Sequence, residues 1–308
     1  MKKIIIFISI IIASMLLSGC GNKETTKISV VSTIYPYYDF ANQVGKDLID
    51  VTMLINPGTD MHSYDPTPDD IIKITNADIF IYTGGHSDEW VNEIMDSIDE
   101  SKTKVIRVMS ELETLVEEEI EGATNEEEES DEIEYDEHVW TSLSNAQIII
   151  HVIKDTLVEI DPANKNAYID NAIGYADLIS GYDSQIRELL ATSTNKTLLF
   201  GDRFAFRYFT EEYDLPYSAA FPGCSSETEP SASTVTYLIN KIKTEDIPAI
   251  LYLEMSSQKI ADTLSEETGV KTLPMHSGQT ISKEDFDNKV SYTDLLNRNL
   301  ETLKEVLK

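Results

Sequence analysis

The chain opens with Lys2 and Lys3 followed by an apolar run from Ile4 to Leu17, and after that the hydrophobic positions come in short blocks. Lys27 to Ser32, Val51 to Ile55, Ala77 to Thr83 and Lys104 to Val108 are β-rich runs bounded by Gly, Pro or polar residues, the pattern of buried strands. Helical segments fall between them, one of them over Glu89 to Ile98. From Asn145 to Ile160 and from Lys165 to about Thr192 the apolar spacing turns helical, interrupted at Asp161-Pro162. Pro162 suits a first helical position and Asp161 the N-cap before it. The strand rhythm then returns at Thr197 to Phe200, Pro216 to Phe221, Ile250 to Leu253 and Val270 to Leu273. Strands alternating with helices imply an α/β fold with largely parallel sheets. Two α/β lobes are expected, residues 27–145 and 193–308, joined by a helical region over 146–192. Ligands of such folds sit at the carboxyl ends of strands, here in a cleft between the lobes.

The first apolar run is too short to span a bilayer, which takes about 20 residues. With two lysines before it and small residues after it, residues 1–19 read as a signal peptide. Leu16-Leu17-Ser18-Gly19-Cys20 resembles a bacterial lipobox, which makes Cys20 the lipidated first residue of the processed chain and residues 20–26 a tether. The chain is then held at the outer face of the cytoplasmic membrane. Cys224 is the only other cysteine, so no disulfide framework is expected. Stability must come from packing, which a hydrophobic content of 41% supports.

With 55 acidic against 24 basic residues the formal charge is -31, which repels nucleic acid and favours cations. Part of the excess lies in one run, residues 111–136, which contains Glu126-Glu127-Glu128-Glu129. Such a block is a self-repelling loop, either simply solvated or a collector of cations near a metal site.

The five histidines probe for chemistry. His62 follows the second strand, His138 follows the acidic run, and His276 follows the last strand; all three lie in loops at strand ends. Neutral imidazole suits zinc and other borderline metals. His151, within the helical run after Ile150, reads as a packing residue, and His86 as a capping or cleft-lining residue at a strand-to-helix turn.

Pro57-Gly58-Thr59-Asp60-Met61-His62-Ser63-Tyr64-Asp65-Pro66, Asp136-Glu137-His138-Val139-Trp140 with Asn145-Ala146, and Arg203-Phe204-Ala205-Phe206-Arg207-Tyr208-Phe209 with Tyr213 together resemble the motifs of the zinc- and manganese-specific substrate-binding lipoproteins of ABC importers. Glu229-Pro230-Ser231 and Ile250 to Glu254 also have counterparts. The resemblance implies two lobes bridged by one long rigid helix, about Asn164 to Thr192, with the metal between them. It places two ligands on His62 and His138. Its third ligand position falls on Arg203, which stays protonated and cannot coordinate a cation. Asp202 beside it is the expected substitute, with Cys224, Glu227, Glu229 or water as alternatives. The fourth falls on His276. Arg203 is expected to pair with a carboxylate such as Asp202 or Glu254 and to orient the site from behind.

Three histidines with at most one carboxylate favour Zn²⁺ over Mn²⁺, which prefers oxygen-rich sites. The implied function is capture of the ion and its delivery to a membrane permease with its ATPase subunit, by a monomer that binds no nucleic acid and catalyses nothing. Two other classes compete: a zinc hydrolase, against which stands the lack of an H-E-x-x-H motif, and a surface adhesin.

Overall fold

The central strands are short apolar runs, and their burial explains why. In the computed structural model, which describes residues 27–117, 134–223 and 229–307, β1 (Ile28–Ser32), β2 (Ile49–Met53), β3 (Ile79–Tyr82) and β4 (Lys104–Arg107) form a parallel sheet in the order β2-β1-β3-β4. Every residue of β3 is buried, so Ile-Phe-Ile-Tyr is continuous rather than alternating, as expected of a parallel strand covered on both faces. The edge strand β2 alternates instead. Between these strands lie α1 (Tyr35–Gly45), α2 (Pro68–Thr75) and α3 (Trp90–Ile94). α2 starts on a capping box in which Thr67 and Asp70 satisfy each other's backbone N–H. The single helix expected over Glu89 to Ile98 is broken: α3 is flanked by 3-10 turns at His86–Asp88 and Met95–Ser97.

α4 (Leu143–Ile160) and α5 (Lys165–Thr192) follow. α5 has 28 residues, about 42 Å at 1.5 Å per residue, and is the long bridging helix. Asp161 does not cap it. A 3-10 turn, Pro162–Asn164, intervenes with Pro162 at its first position, and the Asp161 carboxylate accepts hydrogen bonds from the Asn164 amide at 2.6 Å and the Tyr168 hydroxyl at 2.9 Å.

The second lobe repeats the plan of the first. β5 (Leu198–Arg203), α6 (Arg207–Tyr213), β6 (Tyr217–Phe221), α7 (Ala232–Thr244), β7 (Ile250–Tyr252), α8 (Lys259–Thr268) and β8 (Thr272–Pro274) give a parallel sheet in the order β6-β5-β7-β8. α8 packs directly on β5: a Cβ on Gly201 would lie 2.6 Å from the Ala261 Cα. α9 (Lys283–Asp287) and α10 (Tyr292–Val306) end the described chain.

One apolar core runs through both lobes, taking in Val30, Trp140, Ile179, Phe200, Leu251 and Leu303. Smaller clusters cover the outer faces of the sheets, around Phe80 in one and Leu199 in the other. Both sheets change direction of strand order between their first and third strands, so each offers a binding crevice at its carboxyl edge. The two edges meet in one cleft of about 1430 Å³. Cys20, Cys224, Glu227 and the middle of the acidic run lie outside the described residues. Among those described, no helix is long and apolar enough to cross a membrane.

Candidate metal centre

His62 sits in a 3-10 turn, Met61–Ser63, just beyond β2, and the Asp60 carboxylate caps that turn by accepting the His62 backbone N–H at 3.1 Å. Gly58 precedes it at φ +81°, a conformation that favours glycine. His138 stands before α4, where the Asp136 carboxylate accepts its backbone N–H at 2.8 Å and lies 3.3 Å from its Nδ1. Trp140 anchors this segment to the other lobe by donating its indole N–H to the Ser277 carbonyl at 2.9 Å. The Asn145 amide donates to the Val139 carbonyl. The two imidazole rings thus come to 5.7 Å between centroids from positions 76 residues apart in sequence (138 minus 62).

Each ring is held by Nδ1. His62 Nδ1 lies 2.8 Å from the Ser87 hydroxyl, and His138 Nδ1 faces Asp136. In the tautomer with the proton on Nδ1, donated to these partners, Nε2 carries the lone pair that a metal needs. His62 Nε2 is buried with no hydrogen-bond partner. Glu137 is the residue that sequence reasoning passed over. It is 1% exposed; one carboxylate oxygen accepts the Ser87 backbone N–H at 2.7 Å, and the other, Oε2, is buried without a partner, 3.9 Å from His62 Nδ1. Gly85 makes room for it, since a Cβ there would stand 2.3 Å from Oε1. Buried polar atoms are rarely left unpaired, and two in one site, a lone pair and a carboxylate oxygen, suit a cation.

Burial and the charge of His138 push His62 down to about 4, so its ring is neutral near pH 7. Burial also acts downward on His138, but Asp136 and Glu137 outweigh it and hold that ring above the usual histidine value. Burial raises Glu137 and pushes Asp88 up to about 6. Asp88 accepts the backbone N–H groups of Thr83 and Gly84 at 2.7 and 3.1 Å, shaping the turn after β3.

The second lobe supplies a different chemistry from the one expected. Arg203, at the end of β5, donates to Asp60 Oδ2 at 2.6 Å and pairs with neither Asp202 nor Glu254. Asp202 accepts the Arg203 backbone N–H at 2.9 Å and the Leu253 backbone N–H at 3.1 Å, tying β5 to the end of β7. Glu254 accepts the Ser277 N–H, the Ser277 hydroxyl and the Gly278 N–H, ordering that loop. His276 forms no group of three ion-holding side chains with His62 and His138; its backbone is locked to the Asn299 amide at both N–H and carbonyl, and the charged groups acting on its ring are Glu254, Arg298 and Asp285. Glu229 is exposed and pairs with Lys259. His86 stands on the cleft rim beside Glu89, exposed. His151 is exposed on α4, contrary to its reading as a packing residue. Among the described residues no three His, Cys, Asp or Glu side chains converge closely enough to hold an ion jointly. The preformed element is the histidine pair with its carboxylates.

Residues 30–306 match the family model described as zinc-uptake complex component A, periplasmic. The chain is 32% identical to the zinc-binding lipoprotein AdcA of Streptococcus pneumoniae over 308 residues, 99% of this chain and 61% of that protein. It therefore spans less than two thirds of that relative. It is also 32% identical to the high-affinity zinc uptake system protein ZnuA of Bacillus subtilis, covering 95% of this chain and 94% of that protein. The crystal structure of the Zn(II)-bound ZnuA-like domain of Streptococcus pneumoniae AdcA matches with a TM-score of 0.75 at 31% identity, over 91% of this chain and 99% of that one.

Proposed function

Because the chain belongs to the zinc-uptake complex component A family, we propose that it is the extracytoplasmic receptor of an ABC importer, capturing Zn²⁺ and delivering it to the membrane permease and its ATPase subunit. Lipid on Cys20 keeps it on the outer face of the cytoplasmic membrane. The observation that carries this reading is the pair His62 and His138, with ring centroids 5.7 Å apart, each engaged at Nδ1, and with His62 Nε2 buried and without a hydrogen-bond partner.

Imidazole nitrogens favour zinc over manganese. The buried carboxylates of Asp136 and Glu137 supply negative charge beside the pair, and the acidic surface concentrates cations at the cleft. Asp202 and His276 were expected to complete the ligand set. Asp202 is engaged by backbone N–H groups and His276 forms no such group with the pair, so in this reading water, and carboxylates that move in as the ion binds, take its remaining positions. No covalent bond is made or broken in this cycle; the ion exchanges water for protein donors and is released when docking on the permease disturbs them.

In a calorimetric titration of the purified chain, His62→Ala and His138→Ala should each weaken Zn²⁺ binding at least 100-fold. Wild-type affinity in both variants would overturn the site. Competition between Zn²⁺ and Mn²⁺ should favour zinc.

A further inference from the structure

The Asp60 carboxylate, on the cleft wall, accepts three hydrogen bonds. One oxygen accepts the Arg203 guanidinium at 2.6 Å; the other accepts the Gln279 side-chain amide at 3.0 Å and the His62 backbone N–H at 3.1 Å. Arg203 and Gln279 belong to the second lobe, Asp60 and His62 to the first. A fixed positive charge from one lobe is thus held a single carboxylate away from a histidine of the other. Both members of the pair line the cleft, with side chains 31% and 33% exposed, so the pair faces the space through which an ion would arrive.

Resting on the reading of His62 and His138 as zinc ligands, we propose that Arg203 sets the affinity of the site by acting as a built-in competitor for the ion. A cation approaching His62 meets Asp60, whose charge is already neutralised by the guanidinium. The arriving ion either displaces Arg203 from Asp60 or accepts a like charge close by, and like charges at such range repel appreciably inside a protein cleft. Ion binding and the interlobe pair therefore weaken each other, and by linkage the effect is mutual. The guanidinium does not deprotonate, so the competition persists across physiological pH. It also assists release, because the site left by the ion is refilled by the pair re-forming. Arg203 then trades tightness of capture for ease of delivery.

The opposite role, a brace that orients the His62 turn through Asp60, makes the opposite prediction. Zinc titrations should compare the wild-type chain with Arg203→Met, with Arg203→Gln, which is neutral but can still donate to Asp60, and with Arg203→Lys, each checked for native circular dichroism. Under competition, the two neutral variants bind Zn²⁺ about tenfold more tightly, a coupling of ordinary size between adjacent sites. Arg203→Lys stays near wild type, and added salt narrows the difference. Unchanged or weaker binding in the folded neutral variants overturns the proposal. Failure of the wild-type chain to bind Zn²⁺ overturns instead the reading on which it rests.

Discussion

At the scale of single residues, the two histidines are fixed by partners that do not themselves face the ion: Ser87 for His62 and Asp136 for His138. Loss of such a partner typically lowers metal affinity about 10–100-fold. Ser87→Ala and Asp136→Asn are therefore expected to weaken Zn²⁺ binding by amounts in that range while leaving the fold intact, as read by titration alongside thermal melting. Protonation adds a second test. His62 has a folded value of about 4 against 6.5 ordinarily, so between those values the unfolded chain binds more protons than the folded one, and stability is lost as pH falls through this window. His138, raised by its carboxylates, has the opposite sign and gains stability on acidification. His62→Gln should accordingly flatten the acid-side loss of stability in the metal-free chain, measured by denaturant melts between pH 6.5 and 4; an unchanged slope would remove His62 as its source. His62 and His138 were legible as strand-end histidines inside short motifs. Glu137, directly after a run of acidic residues that reads as solvated, was not, and neither was the Asp60 partner of Arg203, which lies 143 positions away (203 minus 60).

At the scale of elements, the buried central strands could be read directly because continuous apolar runs leave few alternatives. The short capped turns could not, since their ends are decided by side chains from elsewhere in the fold. α4 is an example. Its N-terminus is capped locally by Ser142, whose hydroxyl accepts the Asn145 N–H at 3.0 Å. It is capped again from the second lobe by Glu212, which accepts the Leu143 N–H at 2.8 Å and the Ser144 N–H at 3.2 Å. A carboxylate there also complements the helix dipole. Glu212→Ala should cost about 1–2 kcal/mol, in line with the loss of a helix cap, measurable by urea denaturation. The bridging helix is pinned in the same way: the Tyr175 hydroxyl on α5 donates to the buried Asp39 of α1, which also accepts the Tyr292 N–H. Tyr175→Phe should destabilise the chain by about 1–3 kcal/mol, because it leaves a buried carboxylate short of a donor.

At the scale of the whole molecule, the two-lobed plan and the long helix were visible in the alternation of strand and helix signals, whereas the identical strand order of the two sheets was not, because their sequences share no recognisable repeat. The continuous core couples the lobes, so urea unfolding is expected as a single transition with coincident near- and far-ultraviolet signals; two separated transitions would contradict that coupling. The last helix carries a further consequence. α10 begins at Tyr292, whose N–H is accepted by Asp39 and whose hydroxyl donates to the Trp140 carbonyl at 2.7 Å, while its ring packs edge-on against Phe40. The first lobe is therefore finished by residues synthesised some 250 positions after it begins (292 minus 39 is 253). Contacts of such separation are slow to form, and the first lobe stays unsealed until α10 has docked on Asp39, Phe40 and Trp140.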